Sequence, residues 1–137
     1  VTNIRRDAMA NRYNRKAVLG ALRDMVLTVC PDVHTTNRET VKGTSDKFVI
    51  IRLPQGITPY ADTHNTAYVQ FQLYAKDIAN GVESVERMES LIDGVCGLLP
   101  FSTDLISCNE KPVLLGSMSD GMGYHSCVMQ FNIVIKV

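Results

Sequence analysis

No run of apolar residues in this chain approaches the ~20 needed to cross a bilayer as a helix. A secretory signal is not expected either. The opening stretch, VTNIRRDAMANRYNRK, carries basic residues with no apolar segment behind them. Cysteine pairs are missing as well: Cys30, Cys96, Cys108 and Cys127 lie far apart, with no CxxC spacing. The expectation is four reduced thiols packed as small hydrophobes, with no zinc site and no cofactor. There is no Gly-x-Ser-x-Gly and no HExxH. The glycine-rich stretch from Gly116 to Gly123 lacks a lysine and a following helix, so it is not a phosphate loop. Internal repeats and low-complexity segments are absent too.

What is present suits one globular unit. The chain has 137 residues, 45% hydrophobic and 20% charged, which fits a single domain over 1–137 with a sizeable core. Formal net charge is zero. That total hides a polarity: residues 1–47 carry nine Lys/Arg and five Asp/Glu, whereas residues 48–137 carry five and nine. A molecule charged in this way can stack its basic part against the acidic part of a second copy. Two solvated faces of a monomer would also account for it.

Residues 1–13 read as a basic arm or as the first turns of a helix. From about Asn14 to Val29 the apolar spacing is helical, through Val18, Leu19, Leu22, Met25, Val26 and Val29, and Pro31 ends it. Asp32 to Lys47 reads as a polar loop, with a short edge strand near Thr40 to Lys42. Phe48 to Leu53 is a buried strand, and Gln55 to Thr66 a long connecting loop. Ala67 to Ala75 alternates: Val69, Phe71 and Leu73 face a core, and Tyr68, Gln70, Gln72 and Tyr74 face outward.

Asn80 with Glu83 resembles a capping box, so a second helix is expected from about Gly81 to Leu99, closed by Pro100. Its apolar stripe runs from Val85 to Leu99, and Glu83, Glu86, Glu89 and Asp93 line another side. Leu105 to Cys108 and Val113 to Met118 read as strands. Asp120-Gly121 signals a hairpin, and Tyr124 to Val137 is one long closing strand. The element order predicts an α+β fold: an antiparallel sheet of about four to five strands with both helices packed on one face.

Chemistry-bearing clusters are few. Asp62 and His64 in one loop, and Asp32 and His34 in another, could orient a base or bind a metal if the loops met; solvated loop residues are the plainer reading. His125 and Cys127 share a strand face and could form a thiolate pair, or simply pack. Arg5, Arg6, Arg12, Arg15 and Lys16 form a basic cluster. Direct nucleic-acid binding is not expected from it, because the chain is neutral and Tyr13 is the nearby aromatic. Tyr68, Gln70, Gln72 and Tyr74, beside Tyr124, Gln130 and Asn132, would make a polar-aromatic sheet face suited to a partner.

The succession AYVQFQLYAKD, SVERMESLIDGVCGLLPF and HSCVMQFNIVIKV, preceded by RKAVLGALRDMV and a short strand ending in proline, resembles the tail terminator, or tail-completion, family of long-tailed bacteriophages. The likeness spans roughly residues 14–137 and rests on element order. Both polar loops, Asp32 to Lys47 and Gln55 to Thr66, are longer than that family leads one to expect. The resemblance implies a structural, non-enzymatic protein of the virion neck, assembled in the host bacterial cytoplasm. It implies a homohexameric ring that caps the tail tube and meets the head connector or stopper proteins. It carries over no catalytic residues. Subunit contacts would then fall to Arg5, Arg6, Arg12, Arg15 and Lys16 against Glu83, Glu86, Glu89 and Asp93. Other readings are another neck or tail-tube component, or a small α+β enzyme or ligand-binding domain using the Asp62/His64 loop.

Overall fold

Two thirteen-residue strands whose burial alternates over most of their length organise this chain. A computed structural model describes residues 14–35, 45–61, 64–79 and 81–136. In chain order the elements are α1 (Arg15–Val26), β1 (Val33–His34), β2 (Lys47–Arg52), β3 (Ile57–Ala61), β4 (His64–Lys76), α2 (Val85–Cys96), β5 (Phe101–Ser102), β6 (Ile106–Cys108), β7 (Val113–Ser119) and β8 (Tyr124–Lys136). The fold is α+β. Among the described residues it has two helices and one sheet of eight strands, ordered β1-β2-β4-β8-β6-β5.

The two long strands β4 and β8 pair antiparallel along their whole length, from His64 opposite Lys136 to Lys76 opposite Tyr124. Each carries two shorter strands end to end on its outer edge: β2 and β3 along β4, β7 and β6 along β8. Register fixes which side chains face the helices. Val49, Ile51, Val69, Phe71, Leu73, Met129, Phe131, Ile133 and Ile135 join Val18, Leu22 and Val26 of α1 and Met88, Leu91 and Val95 of α2 in one core. Both helices therefore cover the same sheet face. Phe71 and Phe131 meet edge to face at the centre, with ring centroids 5.1 Å apart.

The sheet is larger than expected, and it is mixed. Val33 and His34 run parallel to Val49 and Ile50, so β1 adds a parallel strand inside the segment read as a loop. The Gln55–Thr66 stretch is no open loop either. Ile57–Ala61 folds back on the start of β4 as a hairpin, with Pro59 opposite Asn65. Proline is admitted because β3 is an edge strand, where its missing N–H is not required. β5 was not expected at all. The short strand expected near Thr40–Lys42 lies outside the described residues.

Helix boundaries also shift. α1 ends at Val26, before the expected Val29, and Asn14 caps its start by accepting a hydrogen bond from the Ala17 amide at 3.1 Å. The N-cap of α2 is Ser84, whose hydroxyl accepts from the Arg87 amide. The helix spans Val85–Cys96, shorter than Gly81–Leu99. Glu83 therefore precedes the helix, and Asn80 lies outside the described residues. Val85, placed in the apolar stripe by spacing, opens the first turn and is exposed. The helices touch where Val29, just past α1, approaches Gly94 of α2: a β-carbon at Gly94 would lie 3.4 Å from the Val29 β-carbon.

The β7–β8 connection follows the expected hairpin chemistry. Gly121 and Gly123 take positive φ, and the Asp120 carboxylate accepts hydrogen bonds from the amides of Met122 and Tyr124.

Candidate functional site

The helix layer is electrically divided. α1 lies over β1 and β2, whereas α2 lies over β4 and beside β7. The outer side of α1 exposes Arg15, Lys16 and Arg23, and Arg52 of β2 joins them across a recess that also includes Leu19, Thr35 and Pro54. α2 exposes Glu86, Glu89 and Asp93. Its one cation, Arg87, is turned inward, donating to the backbone carbonyls of Lys76 and Asp77. The excess of basic residues lies on the α1 flank, where Asp24 is the one exposed acid, and the excess of acidic residues on the α2 flank of the same layer. Arg5, Arg6 and Arg12 lie outside the described residues.

Several of these charges oppose their own helix dipoles. Arg15 and Lys16 stand in the first turn of α1, which contains no acid, and α2 has no basic residue in its last turn, where Asp93 sits close by. A helix N-terminus favours anions and a C-terminus cations, by about 0.3–1 kcal/mol per charge. Arg15, Lys16 and Asp93 therefore cost the isolated subunit stability, whereas Arg23 in the last turn of α1 and Glu86 in the first turn of α2 accord with their helix dipoles.

Beside α2, strand β7 is exposed along all of Val113–Ser119. Val113, Leu115 and Met118 share the helix-free face with Gln130, Val128 and Ser126, and Leu114 lies on the helix side opposite Met129. A groove of about 290 Å³ separates β7 from α2, with Met88, Ile92 and Cys127 in its lining and Glu83 and Glu89 beside them. The Ser117 hydroxyl donates to the Glu83 carboxylate across it. This surface was not anticipated. VLLGSM is visibly a strand, but its exposure goes with a far edge that no described strand pairs, which no local pattern encodes.

The polar-aromatic face forms in part. Tyr68 stands opposite Asn132 and Gln70 opposite Gln130 on the helix-free side, and Tyr68, Gln70 and Gln72 are half-buried. Tyr74 departs from the outward placement. It is buried, stacked on Phe48 with centroids 4.6 Å apart and rings within 8° of parallel. Tyr124, also expected outward, closes the same small cluster and donates its hydroxyl to the Ser45 carbonyl at 2.6 Å. Neither offers its ring to a partner.

The histidines do not converge. His34 is opposite Ile50, which is opposite Gln72, while His64 begins β4. At ~3.3 Å per residue, positions 64 and 72 of one strand are separated by roughly 26 Å. His34, in β1, bonds Asp32 just before the strand at 2.5 Å, and Asp62 lies outside the described residues. His64 is a strand residue with an interaction of its own. His125 pairs through Nδ1 with Asp77 Oδ1 at 2.6 Å, and so is oriented by a carboxylate rather than by Cys127. Among the described residues no three of His, Cys, Asp or Glu are grouped to hold a metal ion. Burial pushes the thiols of Cys30, Cys96, Cys108 and Cys127 up, and at Cys127 the neighbouring Glu83 adds to the effect. Among the described residues no helix is long and apolar enough to cross a membrane.

Fold and surfaces together define an α+β protein with a two-sided mixed sheet, helices on one face and a charge-divided helix layer. A solved structure shares this fold with a TM-score of 0.51, covering 96% of each chain at 12% identity. No family model and no curated protein matches the chain.

Proposed function

We propose that this chain is a structural assembly protein whose work is contact between copies: a homo-oligomeric ring of the phage tail-terminator kind, capping a tail tube and presenting a face to head connector proteins. The observation that carries this reading is the charge division of the helix layer, with Arg15, Lys16 and Arg23 on one flank and Glu86, Glu89 and Asp93 on the other. Surfaces that are complementary but distinct favour a head-to-tail contact, and such a contact yields a ring when its rotation closes. Arg15, Lys16 and Asp93, which stand against their helix dipoles, fit this use, because a neighbouring copy of opposite charge would neutralise their unfavourable fields. The element order across residues 14–137 and the half-buried Tyr68, Gln70 and Gln72 on the opposite face add support, the latter as the surface for the tube or connector.

The direct test is negative-stain imaging of the full chain, alone and with purified tail tubes. Rings of about six subunits, or caps on tube ends, are expected. A protein that stays near 15.2 kDa and leaves tube ends bare would exclude this function.

A further inference from the structure

We propose that the groove between β7 and α2 is the seat for α1 of a second copy, an inference that rests on the ring reading and names its contact. Strand β7 is an edge strand with exposed apolar side chains on both faces: Leu114, 45% exposed, on the groove side, and Val113, Leu115 and Met118, 58%, 45% and 67% exposed, on the helix-free side. Natural edge strands are normally blunted by charge, proline or a covering element. Between Val113 and Ser119 there is no charged residue and no proline, and the far edge of β7 is unpaired among the described strands. The acidic pair Glu83 and Glu89 sits in the lining of the adjoining groove.

The matching surface is the outer face of α1. Leu19 and Gly20 line a shallow recess there, flanked by Arg15, Lys16 and Arg23. Glycine inside a helix is unfavourable, and a β-carbon at Gly20 would meet nothing within 4 Å in its own subunit. The fold of the single chain does not require glycine at this position. Open space there admits the close approach of a second copy, whose Leu114 lies on the groove side of β7. Arg15, Lys16 and Arg23 outnumber Asp24, the one acid of α1, so this face is net positive where it meets Glu83 and Glu89 beside Leu114, and charge agrees across the contact. The contact joins two different surfaces of identical chains, as a cyclic ring requires.

The test uses full-length protein, with folding checked by circular dichroism and assembly measured by mass photometry. Arg15→Glu and Glu89→Arg, each alone, should raise the dissociation constant for assembly at least tenfold. Mixed in equal amounts, the two variants should assemble as wild type does, because each mismatched α1 then meets the groove of opposite charge. Gly20→Gln should lose assembly while remaining folded. If wild type forms rings and all three variants do so equally well, or if the mixture fails to recover assembly, the β7–α2 seat is wrong and the ring reading survives. If wild type forms no ring with or without tail tubes, both fall together.

Discussion

Asp77 and His125, 48 residues apart in the chain, meet at 2.6 Å where β4 and β8 run out together. The Asp77 side chain is 4% exposed and that of His125 13%. The Asp77 amide donates to the Gly123 carbonyl, so backbone and side chain both fasten the end of β4 to the start of β8. The second oxygen, Oδ2, has no hydrogen-bond partner among the described residues. The pair is a structural clasp. Asp77→Ala leaves the His125 ring nitrogen without its acceptor in a mostly buried place, which should destabilise the fold by about 1–3 kcal/mol. Urea denaturation of the variant measures this, and an unchanged midpoint would show that the clasp contributes nothing.

Gly20 yields the opposite sign. Gly20→Ala adds a methyl group into open space on α1 and raises helix propensity. The free subunit should gain about 0.5–1 kcal/mol. Thermal unfolding at a concentration where the wild-type chain is monomeric reads the effect. A lowered transition would mean that the glycine serves the fold itself.

The core offers a larger effect. Phe71 is buried and packs edge to face on Phe131 at the crossing of the helix layer and the long strands. Phe71→Ala should cost about 3–5 kcal/mol, through lost transfer energy and the cavity left behind. The same substitution at Tyr68, half-buried on the helix-free face, should cost clearly less. Parallel denaturation curves decide between them.

Burial sets the thiol chemistry. All four cysteines have pKa values raised above the ordinary 9.0, with desolvation as the leading cause. The thiolate is the reactive form, so at pH 8 the folded protein should react with a thiol reagent more slowly than the urea-unfolded chain. The sign of the linkage follows. As pH rises, the unfolded chain ionises first, so the thiol contribution to stability is whole below pH 9 and is lost as pH climbs toward the folded values. Equal labelling rates in the two states would contradict the burial.

Much of this architecture is legible in the residues. β8 and the Ala67–Ala75 part of β4 announce themselves by alternation, although His64–Thr66 read as loop, and α1 and α2 show a 3.6-residue apolar spacing. What was missed depends on distant partners. β1 is two residues whose strand character comes from lying beside Val49 and Ile50. β3 contains a proline and is a strand because the start of β4 folds against it. Tyr74 is buried only because Phe48 and Tyr124 arrive from either side. Ser84, with Glu86 in the first turn after it, is a local cap signal, and the competing Asn80/Glu83 pair begins four residues upstream of it. The charged flanks were legible as composition, whereas their separation across the helix layer, and the bare β7 beside the acidic one, required the fold.

The account stands or falls on whether copies associate through opposed charge. Sedimentation velocity of the full chain at low and at high salt tests this most directly. The prediction is a ring-sized species near six times 15.2 kDa at low salt that loses subunits as salt screens Arg15, Lys16 and Arg23 from Glu83 and Glu89. A species of one subunit at every salt and protein concentration would contradict it.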